Sequence, residues 1–218
     1  MEENKNIERL AKENSIIAKQ EEESAKQMKS LAKLTVKRAK AREMLVESEI
    51  ELIKIRERLA EKTKKLIEKK VKVKELLKYG DEGLKIEKDQ AIYNEKVAEI
   101  QTKIAETQRK IANVETEIAA VDVKLANKKL HIAKDRGNLA KKQLVYVNLM
   151  SQNAPNEKIS KAEETYLKLQ KDLTNLETDV MEINKNLLKK QNKLADLKKE
   201  HSEKLAEREK VRPIIPSS

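Results

Sequence analysis

An aliphatic residue followed by alanine recurs every seven positions through the middle of the chain, as Val97-Ala98, Ile104-Ala105, Ile111-Ala112, Ile118-Ala119, Leu125-Ala126, Ile132-Ala133 and Leu139-Ala140. A seven-residue period spans close to two helical turns. It keeps one stripe of a helix against a partner only if the helices wind around each other with a left-handed supercoil. The repeat therefore predicts long α-helices crossing at about 20°.

The same device occurs earlier, at Leu10-Ala11, Ile17-Ala18, Leu31-Ala32, Leu45-Val46, Leu52-Ile53, Leu59-Ala60 and Leu66-Ile67. Ser24-Ala25 and Arg38-Ala39 interrupt it with polar residues. Near the C-terminus, Ile159, Tyr166, Leu173, Val180, Leu187 and Leu194 alternate with Ala162, Leu169, Leu176, Ile183 and Leu197, an ordinary two-column heptad seam.

Two interior segments carry turn chemistry. Gly80-Asp81-Glu82-Gly83 brackets an acidic pair with glycines, and Ser151-Gln152-Asn153-Ala154-Pro155-Asn156 places cap residues around a proline. Pro213 and Pro216 stop any helix before the end of the chain. Helices are predicted near residues 4–79, 83–151 and 156–211, with 212–218 as an extended tail. Short connections favour antiparallel neighbours. The expected fold is all-α, an elongated antiparallel three-helix bundle or coiled coil, up-down-up and rod-shaped, with residues 1–211 as a single domain.

Folding the first two helices about Gly80–Gly83 sets Leu66 opposite Val97, Leu59 opposite Ile104, Leu52 opposite Ile111, Leu45 opposite Ile118 and Leu31 opposite Ile132. Folding the third about Ala154 sets Leu139 opposite Leu169, Ile132 opposite Leu176, Leu125 opposite Ile183 and Ile111 opposite Leu197. In that alignment the third helix stops short of the first hairpin's tip. The tip then offers Val71, Val73, Leu76, Leu77, Tyr79, Leu84, Ile86, Ile92 and Tyr93 among Lys69, Lys70, Lys72, Lys74 and Lys78. Ile214 and Ile215 of the tail are expected at the same end, and this cluster is the expected partner-binding surface.

Composition narrows the function. Charged residues make up 40% of the 218, and Phe, Trp and Cys are absent, so the core must be a thin seam and no thiolate site exists. The net charge of +11 is blocky. Residues 54–78 hold 11 Lys or Arg against 4 Glu, and residues 123–153 hold 7 against 1 Asp. Lys69, Lys70, Lys72, Lys74, Lys78, Lys128, Lys129, Lys141 and Lys142 are therefore the candidate contacts to a polyanion, through charge without base readout. Stacking partners for single strands are few, since aromatic residues are limited to four tyrosines.

His131 and Asp135 stand one helical turn apart, but no second histidine or cysteine accompanies them, and a flanking position beside Leu130 and Ile132 is the expected role of His131. No phosphate loop, nucleophile elbow or zincin motif is present. A narrow bundle leaves little space for a catalytic pocket, so no enzyme activity, cofactor or small-molecule substrate is expected. Ser24, Arg38 and Lys190, with Lys128, Asp135 and Lys142, sit in or beside the apolar columns and are expected at the seam edge, reaching outward. Gly137 reads as a local bend or close contact within the second helix.

The expected function is that of a structural or assembly protein, a spacer or scaffold in a larger particle, with protein partners that include copies of itself. A phage or virus particle component suits a Lys-, Asn- and Ile-rich chain of this kind. The location expected is intracellular or inside such a particle, neither secreted nor membrane-spanning. The alternative partner is an anionic surface, nucleic acid or lipid headgroups. Three long antiparallel helices with a basic excess are similar in general plan to BAR domains, and basic helical hairpins resemble ESCRT-III-type proteins. That resemblance implies a membrane-surface role, though the chain has no apolar-aromatic amphipathic leader and its heptads are straight.

Overall fold

A computed structural model describes the backbone of residues 2–76 and 82–211, and side chains within 6–73, at 83 and within 85–211. The chain is all-α, with α1 over Glu2–Leu76, α2 over Glu82–Ser151 and α3 over Asn156–Lys210 packing against one another. The first turn segment, apart from Glu82 and Gly83 at the start of α2, falls outside the described residues.

The second turn follows from its cap chemistry. Asn153 adopts a left-handed conformation (φ 49°), which asparagine tolerates better than most residues. The Ala154 N–H donates to the Leu149 carbonyl at 3.1 Å and the Asn153 N–H to that of Met150 at 3.2 Å, satisfying the carbonyls that end α2 in a Schellman motif. Pro155 follows, and its carbonyl accepts from the Lys158 and Ile159 N–H groups to start α3. Glu157 in the first turn and Arg208 and Lys210 in the last complement the helix dipole.

The chain divides into two compact units, one of Met1–Lys37 with Glu117–Lys190 and the other of Arg38–Thr116 with Gln191–Ser218. In the first unit, Ala11, Ala18, Ala25 and Ala32 of α1 and Ala119, Ala126, Ala133 and Ala140 of α2 are buried. A methyl group added to Gly137 would stand 3.6 Å from Cβ of Ala18, so the expected close contact is there without a break in the helix. In the second unit, Val46 and Ile50 of α1 pack with Ala105 and Ala112 of α2, and Ile53 closes the cluster. Small side chains let helix backbones come near enough to contact each other directly, and many weak dispersion contacts replace a few large side chains.

This packing overturns the register expected between α1 and α2. Leu31, Leu45, Leu52, Leu59 and Leu66, set by that register against the aliphatic column of α2, are 58–69% exposed. The polar bonds have shifted by about one turn. Glu57 would have faced Glu106 but accepts from Thr102 at 2.9 Å, and Glu43 would have faced Ala120 but accepts from Thr116 at 3.2 Å. The residue after each leucine is turned inward instead: Ala32 and Val46 are buried, and Ile53, Ala60 and Ile67 are half-buried.

The aliphatic column of α2 meets α3. Ile100, Ile104, Ile111 and Val114 in one unit and Val121 and Ile132 in the other are buried. On α3, Leu173 is buried and the other predicted seam residues, from Ile159 to Leu197, are half-buried. Polar links along this contact join Lys128 to Asp179 at 2.6 Å, Lys190 to Glu117, and Lys204 to Thr107 at 2.7 Å. Ser24 and Arg38 are exposed, while Lys128 and Lys190 bridge outward to carboxylates, as expected of seam-edge residues. Thr107 is wholly buried yet satisfied, donating to the Lys103 carbonyl at 3.0 Å and accepting from Lys204.

Candidate functional site

Among the described residues, no cluster of three or more His, Asp or Glu could hold a metal ion. His131 is exposed on the flank of α2 and Asp135 is half-buried. His201, half-buried on α3, has a buried Nε2 with neither a hydrogen-bond partner nor an acidic cluster among the described residues. Hydrogen bonds from Lys26, Lys65, Lys103 and Lys204 hold Glu22, Glu61, Glu99 and Glu200 below the ordinary carboxylate value. Each is an i,i+4 pair along one helix, so these shifts report helix support and no reactive centre.

The expected contact end is only partly described. Val73 and Ile86 are exposed, whereas Val71, Ile92 and Tyr93 are half-buried. The Lys64–Glu95 ion pair shows that α1 and α2 stay zipped this far. Leu76 ends α1, but its side chain and those of Lys74 and Leu84, with Leu77, Lys78, Tyr79, Ile214 and Ile215, lie outside the described residues. Toward this tip, α3 is linked to α2 as far as Thr107, which accepts from Lys204. Lys69, Lys70 and Lys72 are exposed there with no acidic partner among the described residues.

The second basic block is less available. Lys128 is engaged by Asp179, while Lys129, Lys141 and Lys142 are exposed. Arg136 is held between two carboxylates on different helices, Glu21 of α1 at 2.8 Å and Glu177 of α3 at 2.9 Å. The hydrogen bond to Glu177, and then that to Glu21, raise its already high pKa. Beside it lies an apolar groove of about 550 Å³, lined by Ala25, Met28, Ile132, Ala133 and Val180, where Ser24 stands in place of a leucine. All three side chains are more than a third exposed, so solvent screens the pairs. Arg136→Ala is expected to cost only about 1 kcal/mol in a urea titration, with helical content unchanged before the transition.

The surface that sequence reasoning missed is on α1. Leu45, Leu52, Leu59, Leu66 and Val73 form a column at heptad spacing in one unit, with Met44 and Ile55 beside it, and each is more than half exposed. In the other unit Leu10, Ile17, Met28, Leu31 and Leu34 are exposed on α1 as well. No protein-family model matches the chain, and no curated protein matches it significantly. The assignment of a role therefore rests on this surface. A signal for it was in the sequence: Ser24 and Arg38 interrupt the leucine column, while the adjacent column runs Ala11, Ala18, Ala25, Ala32 and Ala39 unbroken. Polar residues are tolerated where a column faces water and excluded where it is sealed.

Proposed function

We propose that this protein is a non-enzymatic structural or assembly component, a helical spacer or scaffold within a larger particle such as that of a phage or virus, and that it binds protein along the outer face of α1. The observation that carries this reading is the exposed heptad column of α1. A solvated helix face has no use for leucine every seven residues, whereas a face that receives another helix requires it. No helix among the described residues is long and apolar enough to cross a membrane.

Exposed Lys69, Lys70 and Lys72 beside Val73 favour a second reading for the tip, contact with an anionic surface such as a membrane or nucleic acid. Crosslinking in the native extract tests the first reading. Lys62, Lys65 and Lys69, which border the leucine column, are expected to link to protein. If they link to nothing, while the chain pellets with anionic vesicles or binds duplex DNA with a steep salt dependence, the assembly role falls.

A further inference from the structure

We propose that the exposed leucine edge of α1 between Ala41 and Leu66 receives the same edge of a second copy of this chain, antiparallel and centred between Leu52 and Ile55. This rests on the assembly reading above and names its partner.

Charge and register along α1 point to this pairing. Residues beside the leucine column fall at the positions that flank a coiled-coil seam, and their charges are polarised along it. Glu49 and Glu51 lie toward one end, and Arg56 and Arg58 toward the other. All four are exposed, and none has an ion-pair partner among the described residues. Their neighbours differ: Arg42 is engaged by Glu115, Lys64 by Glu95 and Lys65 by Glu61. The four charges that flank Leu52 and Ile55 are thus available to a partner.

In an antiparallel pair, like flanking positions meet across the seam. A twofold axis that brings Leu52 onto Ile55 of the second copy brings Glu51 onto Arg58 and Glu49 onto Arg56, each twice. The same axis sets Leu59 over Ser48 and Leu66 over Ala41, large side chains against small ones. It lays the aliphatic stem of Lys62 along Leu45 with its ammonium free to reach solvent. Ala41, Ser48 and Lys62 are all exposed in the single chain. A parallel, in-register pair retains only Glu51 against Arg56 and places Lys65 against Lys70. Opposite-charge complementarity of this kind selects orientation more than it adds affinity.

Sedimentation equilibrium of the purified full chain is expected to show a reversible monomer–dimer equilibrium. Arg56→Glu with Arg58→Glu raises the dissociation constant at least about tenfold. Adding Glu49→Lys and Glu51→Lys to that variant restores dimerisation, which a merely structural role for the arginines would not produce. Circular dichroism checks that all variants stay helical. The chain has no cysteine, so a second measurement avoids the charge variants altogether. A Leu52→Cys chain mixed with an Ile55→Cys chain is expected to form the mixed disulfide on oxidation, in preference to either self-linked product.

A chain that remains monomeric up to about 0.1 mM overturns the proposal. So does a dimer that self-links through Leu52→Cys, or one indifferent to charge reversal. If the purified chain is monomeric while Lys62, Lys65 and Lys69 still link to another protein in the extract, this inference fails and the assembly reading stands. If neither contact forms, both fail.

Discussion

Ala112→Leu is expected to destabilise the protein by about 3 kcal/mol, while Leu52→Ala, which removes a far larger side chain, changes stability by less than about 1 kcal/mol. Ala112 is 1% exposed and belongs with Ala105 to the cluster that packs Val46 and Ile50 of α1 against α2. Leucine there must either drive the helices apart or adopt a strained rotamer, and the alanine contacts along the seam are lost with the spacing. Leu52 is 58% exposed, so its truncation removes little buried apolar surface, and alanine's helix propensity is slightly better. Urea unfolding followed by circular dichroism, at a concentration where the chain is monomeric, measures both. Should Leu52→Ala prove the more damaging, the leucine column is buried within the single chain and the outer face described for α1 does not exist.

Val114→Asp has the largest expected effect of any single change, about 3–5 kcal/mol. Val114 is 3% exposed on the face of α2 that meets α3, between Ile111 and Ile118. The long amine of Lys198 reaches α2 nearby and is engaged by Glu115. The expected result is a sharp fall in the urea midpoint, relieved in part as pH drops and the new carboxyl protonates. The sign follows from burial, which raises the pKa of such a carboxyl in the folded state, so the penalty is full at neutral pH and shrinks as pH falls through that raised value. Val145→Asp, on an exposed part of the same helix, is the control and should cost under about 1 kcal/mol. Equal losses at the two positions would contradict the burial of the α2 seam.

Much of the architecture was legible in the residues. Asn153 and Pro155 specify how α2 ends and α3 begins, because few residues accept a left-handed backbone and none but proline lacks the amide donor. The α3 seam was readable residue by residue, since it carries a single apolar stripe and therefore only one way to face α2. The outward roles of Lys128 and Lys190 were readable too, as long cationic side chains at a seam edge bridge to carboxylates more readily than they bury. The leucine edge of α1 was not, although Ser24 and Arg38 mark it.

The sequence by itself determined that the chain is helical, through its heptad repeat, and where α2 ends and α3 begins, through Asn153 and Pro155. Only the tertiary structure decided which column of α1 is sealed. An aliphatic-alanine dipeptide presents two columns about 100° apart on the helix, both with the same period. The period cannot choose between them. The choice turns on how closely two backbones can approach, which the alanines of α2 and the small or β-branched residues of α1 allow and leucine hinders.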